Sequence, residues 1–496
     1  MNTPASQPCA QLLLRATMIA CLVSTALMAG CAGTTQVAAP TPTEAPAQFK
    51  AAGPWQQAAT DQQISVPDAW WQVFKDPALD ALQSQLVVGN QNLRAALART
   101  QQARAALGGA QAARWPTVSA QASATRAAGG NGANSDNRGG ARSTLSVSGA
   151  AAWEIDLWGR LSHAADGADA RFQASLQDLA AVRLSAQATL TQTYFALRAA
   201  EAQQAVIERS IVVYQRSLEL TQARHQSGVA PQTDVLQAQT QLRSAQAQHI
   251  EAGVQRVQYE NAIAVLLGQP PSAVQLPATS VLAEAPGLPA LLPSTLLQRR
   301  PDIAAAAQRV QAAHAEIGVA RAAFFPSITL DAAAGYRGGA IDSLLSAPNR
   351  FWSIGPALAL ALFDGGARRS ATEQAQARAD EATAGYRQTV LTALQEVEDN
   401  LVLADRLRQE AALQGEALGF AQRNLEITQD QYRVGTVSYL NVVTAQTTAL
   451  ASERTLLDLR ARQLNATSQL LKNIAGRWDS TQDSGQIVAS APPDKP

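Results

Sequence analysis

Apolar positions recur by threes and fours between Arg160 and Gln226. Phe172, Leu176, Leu179, Val182, Leu190, Tyr194, Leu197, Val206 and Leu218 stand on a background of Ala, Gln, Arg and Glu. No proline interrupts the run, and Gly167 is its only glycine. This period predicts one very long helix. At about 1.5 Å per residue the run would extend for about 100 Å, whereas a compact domain of a few hundred residues is only about 40–50 Å across, so the rod must project. A second proline-free run follows from Arg368 to Arg433. The segments after the two rods align at an offset of 207: Leu218, Glu219, Thr221, Gln222 and Gly228 match Leu425, Glu426, Thr428, Gln429 and Gly435. Upstream, at an offset of 210, Leu93, Arg99, Gly108 and Pro116 match Ile303, Arg309, Gly318 and Pro326. The chain is an internal duplication.

Between these helical stretches the period shortens to two. Val118, Ala120, Ala122 and Ala124 alternate with Thr117, Ser119, Gln121 and Ser123, and beyond a Gly/Asn loop at 128–141 the alternation resumes through Leu145, Val147, Gly149, Ala151 and Trp153. The second repeat carries the same pair, Ile328 to Tyr336 and Trp352 to Leu362, with Pro356 inside the latter. These are two predicted β-hairpins. Each strand is long enough to cross a bilayer at a tilt, for which about 9–11 residues suffice, but four strands cannot close a barrel when the smallest need about eight. In a membrane the chain must therefore assemble with copies of itself.

The predicted layout starts with a signal peptide at 1–30 and an extended arm at 31–66, rich in Pro, Thr, Ala and Gln. Repeat 1 spans 67–268, with short helices around Trp70 to Leu86 and Asn90 to Arg114, a hairpin at 116–155 and a helical hairpin at 160–268. A Pro-rich connector at 269–300 is predicted to hold a helical turn or two at Ser294 to Arg299. Repeat 2 spans 301–476, with its hairpin at 326–363 and helical hairpin at 367–476, and a loose tail closes the chain at 477–496. The rods end at Gly228 and Gly435, after which helices return from about Pro231 and Ser438.

Composition narrows the function. A net charge of zero over 496 residues, with 16% charged, speaks against a nucleic-acid partner. The four histidines, His163, His225, His249 and His314, have no His, Cys or paired carboxylate at ligand spacing, so no metal site is expected. No nucleophile, base and orienting group share a motif, which leaves no case for an enzyme. All three cysteines, Cys9, Cys21 and Cys31, fall in the first 31 residues. Arg15 precedes an apolar run from Ala16 to Ala29, too short for a permanent span and ending in small residues as a secretory signal does. Its close, Leu27-Met28-Ala29-Gly30-Cys31, resembles a bacterial lipobox, with Met28 where Leu is usual. That resemblance implies diacylglyceryl and N-palmitoyl groups on Cys31. Ala32, where Asp would retain the protein at the inner membrane, implies sorting to the outer membrane of a Gram-negative cell.

Several motifs then fall in order. They are Trp-Trp-x-x-Phe at 70–74 before Asp76-Pro77, Arg299-Arg300-Pro301-Asp302-Ile303, Phe324-Phe325-Pro326-Ser327-Ile328, and the helix turn from Tyr432 through Gly435 to Leu440. With the duplication, they resemble the outer-membrane efflux protein family of TolC and OprM, in its NodT-type lipoprotein branch, over nearly the whole chain. The resemblance implies a mainly α fold with a small transmembrane β part. Three copies would build a twelve-stranded barrel in the outer-membrane lipid, continuous with a periplasmic helical barrel. It also implies the exit duct of a tripartite pump for drugs or other small toxic compounds, with a periplasmic adaptor and an inner-membrane RND-type transporter as partners. The alternatives are the outer-membrane channel of a type I protein secretion system or a coiled-coil stalk or adhesin. No cofactor is expected.

In TolC-like channels the inner helix turn closes the tunnel with acidic residues six and nine positions after the glycine and a tyrosine three before it. Here Tyr432 stands three before Gly435, but the acidic positions are Asn441 and Thr444. Counted from Gly228, the first repeat keeps an acid at plus six, Asp234. The resemblance implies that Asp234, Tyr432, Asn441 and Thr444 encircle the closed tip. Asp234 could equally serve only the start of a helix after Pro231.

Overall fold

The computed structural model describes residues 50, 69–128, 141–287 and 300–474. Cys31, the signal segment, nearly all of the arm, most of the first hairpin loop, the turn expected at 294–299 and the tail lie outside the described residues.

From the helix before each hairpin onward, both repeats run through the same order of elements; repeat 1 adds a turn and a short helix at its start. A 3-10 turn at Trp70–Phe74 leads into α1 (Pro77–Gly89) and α2 (Gln91–Ala112), then β1 (Thr117–Ala127), β2 (Arg142–Glu154), the rod α3 (Arg160–Gln226) and its return α4 (Gln232–Leu266). The second half gives α5 (Pro301–Ala322), β3 (Ser327–Gly338), β4 (Arg350–Ala359), the rod α6 (Ala367–Val434) and its return α7 (Tyr439–Ile474). The rods have 67 and 68 residues. Both begin behind a glycine at positive φ, Gly159 (74°) and Gly366 (93°). An aspartate supplies the missing cap. Asp156 accepts from the Leu161 and Ser162 amides at 3.1 and 2.8 Å, and Asp364 accepts from the Gly366 and Arg368 amides at 3.0 and 3.2 Å.

The four strands form one antiparallel sheet in the order β1-β2-β3-β4, so pairing of β2 with β3 joins the two repeats. β4 stops at Ala359, short of the expected Leu362. Its ladder ends where Ser327 pairs with Ala359, because Pro326 has no N–H to extend β3. Partners across a ladder share a face, and the register sorts the side chains cleanly. One face carries Val118, Leu145, Val147, Trp153, Ile328, Leu330, Tyr336, Trp352, Ile354 and Leu358, with Arg126 and Arg350 toward the strand turns. The other carries Thr117, Ser119, Gln121, Ser123, Thr144, Ser146, Ser148, Thr329 and Ser353. Within one chain neither face is covered: β1 is exposed along its whole length, and Val118, Trp352 and Leu358 are 81%, 74% and 67% exposed.

The main hydrophobic core lies across the middle of the long helices. Trp70, Phe74, Leu79, Leu82 and Leu86 wedge against Leu190, Tyr194, Phe195 and Leu197 of α3, Ile263 of α4, Val397 and Leu401 of α6, and Leu464, Leu470 and Leu471 of α7. The 70–77 motif owes its spacing to this contact. Phe74 meets Phe195 edge-on at 4.7 Å, and Asp76 caps α1 through the Ala78 amide at 2.9 Å while accepting the Tyr194 hydroxyl at 2.6 Å. Burial and the adjacent Asp76 raise the Tyr194 hydroxyl to about 12. A buried ion network fastens the connector. Arg198 and Arg256 both pair with Glu201 and donate to the Pro277 and Leu276 carbonyls, while Glu260 accepts the Leu276 amide at 2.7 Å. In the Arg-Arg-Pro-Asp-Ile motif, Arg300 pairs with Asp302 and with Glu396 of α6 at 2.7 and 2.8 Å, tying the start of α5 to the second rod.

Where α1 ends against α4 the backbones nearly touch. A Cβ on Gly89 would lie 2.0 Å from the Leu267 carbonyl oxygen, and one on Gly268, already at φ +70°, would lie 2.0 Å from that of Gly89. Asn90 bridges the same joint, donating to the Leu266 carbonyl at 2.7 Å. Gly89→Ala should force the two helix ends apart at a cost of about 1–3 kcal/mol, lowering the thermal midpoint in detergent by circular dichroism. Val88→Ala, one residue away and 70% exposed, should change stability by no more than about 0.5 kcal/mol.

Candidate functional site

The two helix turns lie side by side at the far end of the rods. After α3 the chain reverses through Gly228 (φ +76°), with the Gly228 amide donating to the His225 carbonyl at 2.9 Å and the Val229 amide to that of Arg224 at 2.9 Å. The His225 ring nitrogen Nδ1 sits 2.8 Å from the Ala230 carbonyl and braces this turn. After α6 the reversal uses Gly435 (φ +85°). Its amide donates to the Tyr432 carbonyl and the Thr436 amide to that of Gln431, closing the helix end in the way a left-handed glycine allows.

A small cluster joins the turns. Ala238 of α4 packs with Tyr432 of α6 and Tyr439 and Val442 of α7, flanked by Leu218 of α3. The two tyrosine rings are 5.3 Å apart and tilted, and Tyr439 is 1% exposed. Burial first, then the nearby Tyr432, Asp234 and Tyr214, pushes the Tyr439 hydroxyl well above its ordinary value.

Arg224 connects the first repeat to the end of the second rod. Its guanidinium lies 4.7 Å from the Tyr432 ring centroid, and one nitrogen donates to the Tyr432 and Arg433 carbonyls at 2.9 and 3.1 Å. These carbonyls are at the negative end of the α6 dipole, which favours a cation there.

Among the residues expected at the tip, Asp234 is half-buried in the first turn of α4. Burial raises its carboxyl pKa, opposed by the attraction of Arg224. Asn441 and Thr444 are exposed and, three residues apart on α7, share one face. Thr444 also donates to the Leu440 carbonyl at 2.9 Å. Tyr432 differs from expectation. It is 4% exposed and its hydroxyl lies 3.4 Å from Thr221 Oγ1, so it faces the protomer interior. A ring residue caught between Arg224 and Tyr439 cannot also face outward.

Arg224 and Tyr439 are the tip residues that motif reading did not single out. The repeat alignment hides Arg224, whose counterpart at offset 207 is Gln431, and sets His225 opposite Tyr432 and Asp234 opposite Asn441. A cation in the last turn of α3, three residues after the buried Thr221, was the available signal. Two other histidines pack against the helices around them: the His163 ring sits where a Cβ on Gly318 would be, and His249 faces Gln204 at 3.4 Å.

A family model described as outer membrane efflux protein matches residues 82–269 and 292–476. The chain is 31% identical over 414 residues to the solvent efflux pump outer membrane protein SrpC of Pseudomonas putida, an alignment covering 83% of this chain and 87% of that protein. It is 30% identical over 469 residues to the pyoverdine export outer membrane protein OpmQ of Pseudomonas aeruginosa, covering 92% and 97%. The solved structure of the outer-membrane channel OprN matches with a TM-score of 0.82 at 29% identity, over 88% of this chain and 98% of that one.

If Arg224 holds the two turns together, Arg224→Ala should release residues 430–440 locally. Amide hydrogen exchange there should speed up by an amount corresponding to about 1–3 kcal/mol of lost local stability, with the middle of the rods unchanged. Arg224→Lys, which keeps the charge but loses the planar stack, should fall between.

Proposed function

The chain belongs to the outer membrane efflux protein family, and from that premise we propose that three copies close into one duct, gated at the helix turns. It is a channel of an efflux pump in the Gram-negative outer membrane, a component of a tripartite assembly and not an enzyme.

The observation that carries the proposed ring is the unequal burial of repeated elements. α5 packs along both rods, α3 and α6, and buries Ile303, Ala305, Ala306, Val310, Ala312, Ala315 and Ala322. Its counterpart α2 packs along α3 and buries only Leu93, Ala96 and Thr100. Repeat equivalence assigns the free side of α2 to α6 of another copy. It likewise assigns the outer side of α6 to the next copy's α4, as α3 meets α7 within one chain. Both helices carry exposed apolar side chains that such a contact would cover, among them Leu413 (69%) and Phe420 (75%) on α6 and Ile250 (69%) and Val265 (66%) on α4. The same rule pairs β4 with the next β1. Two copies would supply the minimum of about eight strands; the family resemblance supports three, giving twelve. The apolar face of the sheet then meets lipid and the polar face lines the lumen. Purified protein should have a trimer's mass in detergent; a monomer that conducts ions would contradict this reading, since its sheet edges would face lipid unpaired.

A periplasmic adaptor and an inner-membrane RND-type transporter are the proposed partners, the latter supplying the energy. Small toxic compounds are the proposed cargo: relatives are described as exporting solvents and, in one case, pyoverdine. Cys31 is the proposed lipid attachment site, and Cys31→Ser should abolish palmitate labelling.

At the tip, Asp234, Asn441 and Thr444 are proposed to face the constriction, with Tyr432 bracing it from behind. Three Asp234 carboxylates would attract cations, whereas Asn441 and Thr444 add no charge. In planar bilayers Thr444→Asp should strengthen block by multivalent cations from the periplasmic side, and Asp234→Ala should weaken cation preference. Because its pKa is raised, Asp234 loses its charge as pH falls sooner than a free aspartate with a midpoint of about 3.9. Cation preference should therefore decline on acidification above that value in the native channel and stay flat with pH in Asp234→Ala. Conductance and selectivity unchanged in both variants would place the constriction elsewhere.

A further inference from the structure

The polar face of the sheet carries four charged side chains among the described residues, and they are sorted along the strands. Glu154 and Asp331 lie toward the helical end, Arg337 and Arg142 toward the strand turns. Glu154 is neutralised by a two-pronged pair with Arg160 at 2.6 and 2.8 Å, and Asp331 accepts from the Thr329 hydroxyl at 3.2 Å. Arg337 stands six residues beyond Asp331 on β3, about 20 Å further along the barrel wall. On its rung it has Ser146 and, beyond it, Ser123, both neutral.

Arg337 is nonetheless held in place. Its guanidinium lies 5.0 Å from the Phe351 ring centroid, a cation over an aromatic face. Phe351 is the same-face diagonal neighbour on β4 and pairs with Gly335. Gly335 is required there: a Cβ would come 2.3 Å from the Val147 carbonyl oxygen and 2.6 Å from Ser148 Cα. With no side chain opposite, the ring has room on the sheet surface and offers the guanidinium a flat seat. An aromatic quadrupole carries no net charge, and among the described residues no carboxylate forms an ion pair with Arg337. The one acid in the β3–β4 turn segment 338–350, Asp342, lies five residues further out.

We propose that Arg337, seated on Phe351, forms with its symmetry copies a cationic collar in the outer half of the barrel lumen, which draws anionic solutes toward the exit. Carboxylate-, sulfonate- or phosphate-bearing cargo is the class it favours, by raising the local anion concentration in a narrow aqueous passage. Arg142, on the same face nearer the turn, extends the field outward. The lumen is then bipolar, with carboxylates at the periplasmic tip and guanidinium groups near the mouth. The collar rests on the ring reading above, since a polar sheet face becomes a lumen only in a closed barrel.

The test is the reversal potential of single channels in planar bilayers under a potassium chloride gradient. Arg337→Glu should shift the cation-to-anion permeability ratio toward cations by on the order of threefold or more, Arg337→Gln by a smaller factor in the same direction, and Arg337→Lys hardly at all. Phe351→Leu, which keeps the charge but removes its seat, should shift the ratio slightly and raise current noise. Cysteine accessibility supplies the second arm. Arg337→Cys should react with a membrane-impermeant charged thiosulfonate and lose conductance, whereas Tyr336→Cys, its neighbour on the apolar face, should not. Wild-type protein that forms no channel would sink the ring reading and the collar with it. Working channels in which neither Arg337→Glu nor Arg337→Gln moves the reversal potential, or in which Arg337→Cys is unreactive, would overturn the collar alone.

Discussion

The two outer strands of the sheet, β1 and β4, each turn a row of backbone N–H and C=O groups away from the protein. In water such an edge is tolerable; in hydrocarbon each unsatisfied group costs several kcal/mol, and only closure removes the edges. That requirement governs the rest of the chain. In the proposed ring, where β4 pairs with β1 of another copy, the helices that grow from the strands would follow the same circle. The exposed faces of α2, α4 and α6 would then become contact surfaces between copies.

Stability is unevenly spread along the rods. Their packing relies largely on small side chains that bury little area each: Gly167 approaches Ala315 and the Ala312 backbone, and alanine is the commonest buried residue in both α3 and α5. Large aromatic and aliphatic groups are concentrated at the middle, where the turn and helix from Trp70 to Gly89 cross the long helices. The tip has a four-residue cluster and one arginine anchor. A long hairpin firmly held at its centre and lightly at its end can open at the end without unfolding.

The long elements were legible because their signals are long. A 67-residue helix without proline, strands with clean alternation and glycines at both turns leave little room for another reading, and helix ends fell within a residue or two of expectation. The tip was less legible. Tyr432 could be found by its distance from Gly435, but not its inward orientation, which depends on Arg224 arriving from a helix more than two hundred residues earlier. Charge placement on the sheet had the same character: alternation separates the two faces, but only the register sets Arg337 diagonal to Phe351. Contacts between the repeats are fixed by geometry that neither repeat contains alone.

The two turns, though descended from one pattern, have diverged: His225 stands where the second repeat has Tyr432, and Asp234 where it has Asn441. A ring of six identical half-length chains would be obliged to carry the same residue in every seam, and any change would be multiplied sixfold. Fusing two halves into one polypeptide breaks that symmetry. In the proposed ring two kinds of seam would alternate, one internal to a chain and one between chains, free to accumulate different substitutions. The internal seam is fastened by Arg224, and in the proposed ring the seam between chains would be free to answer to other contacts, a division of labour that gene duplication makes available and strict symmetry forbids.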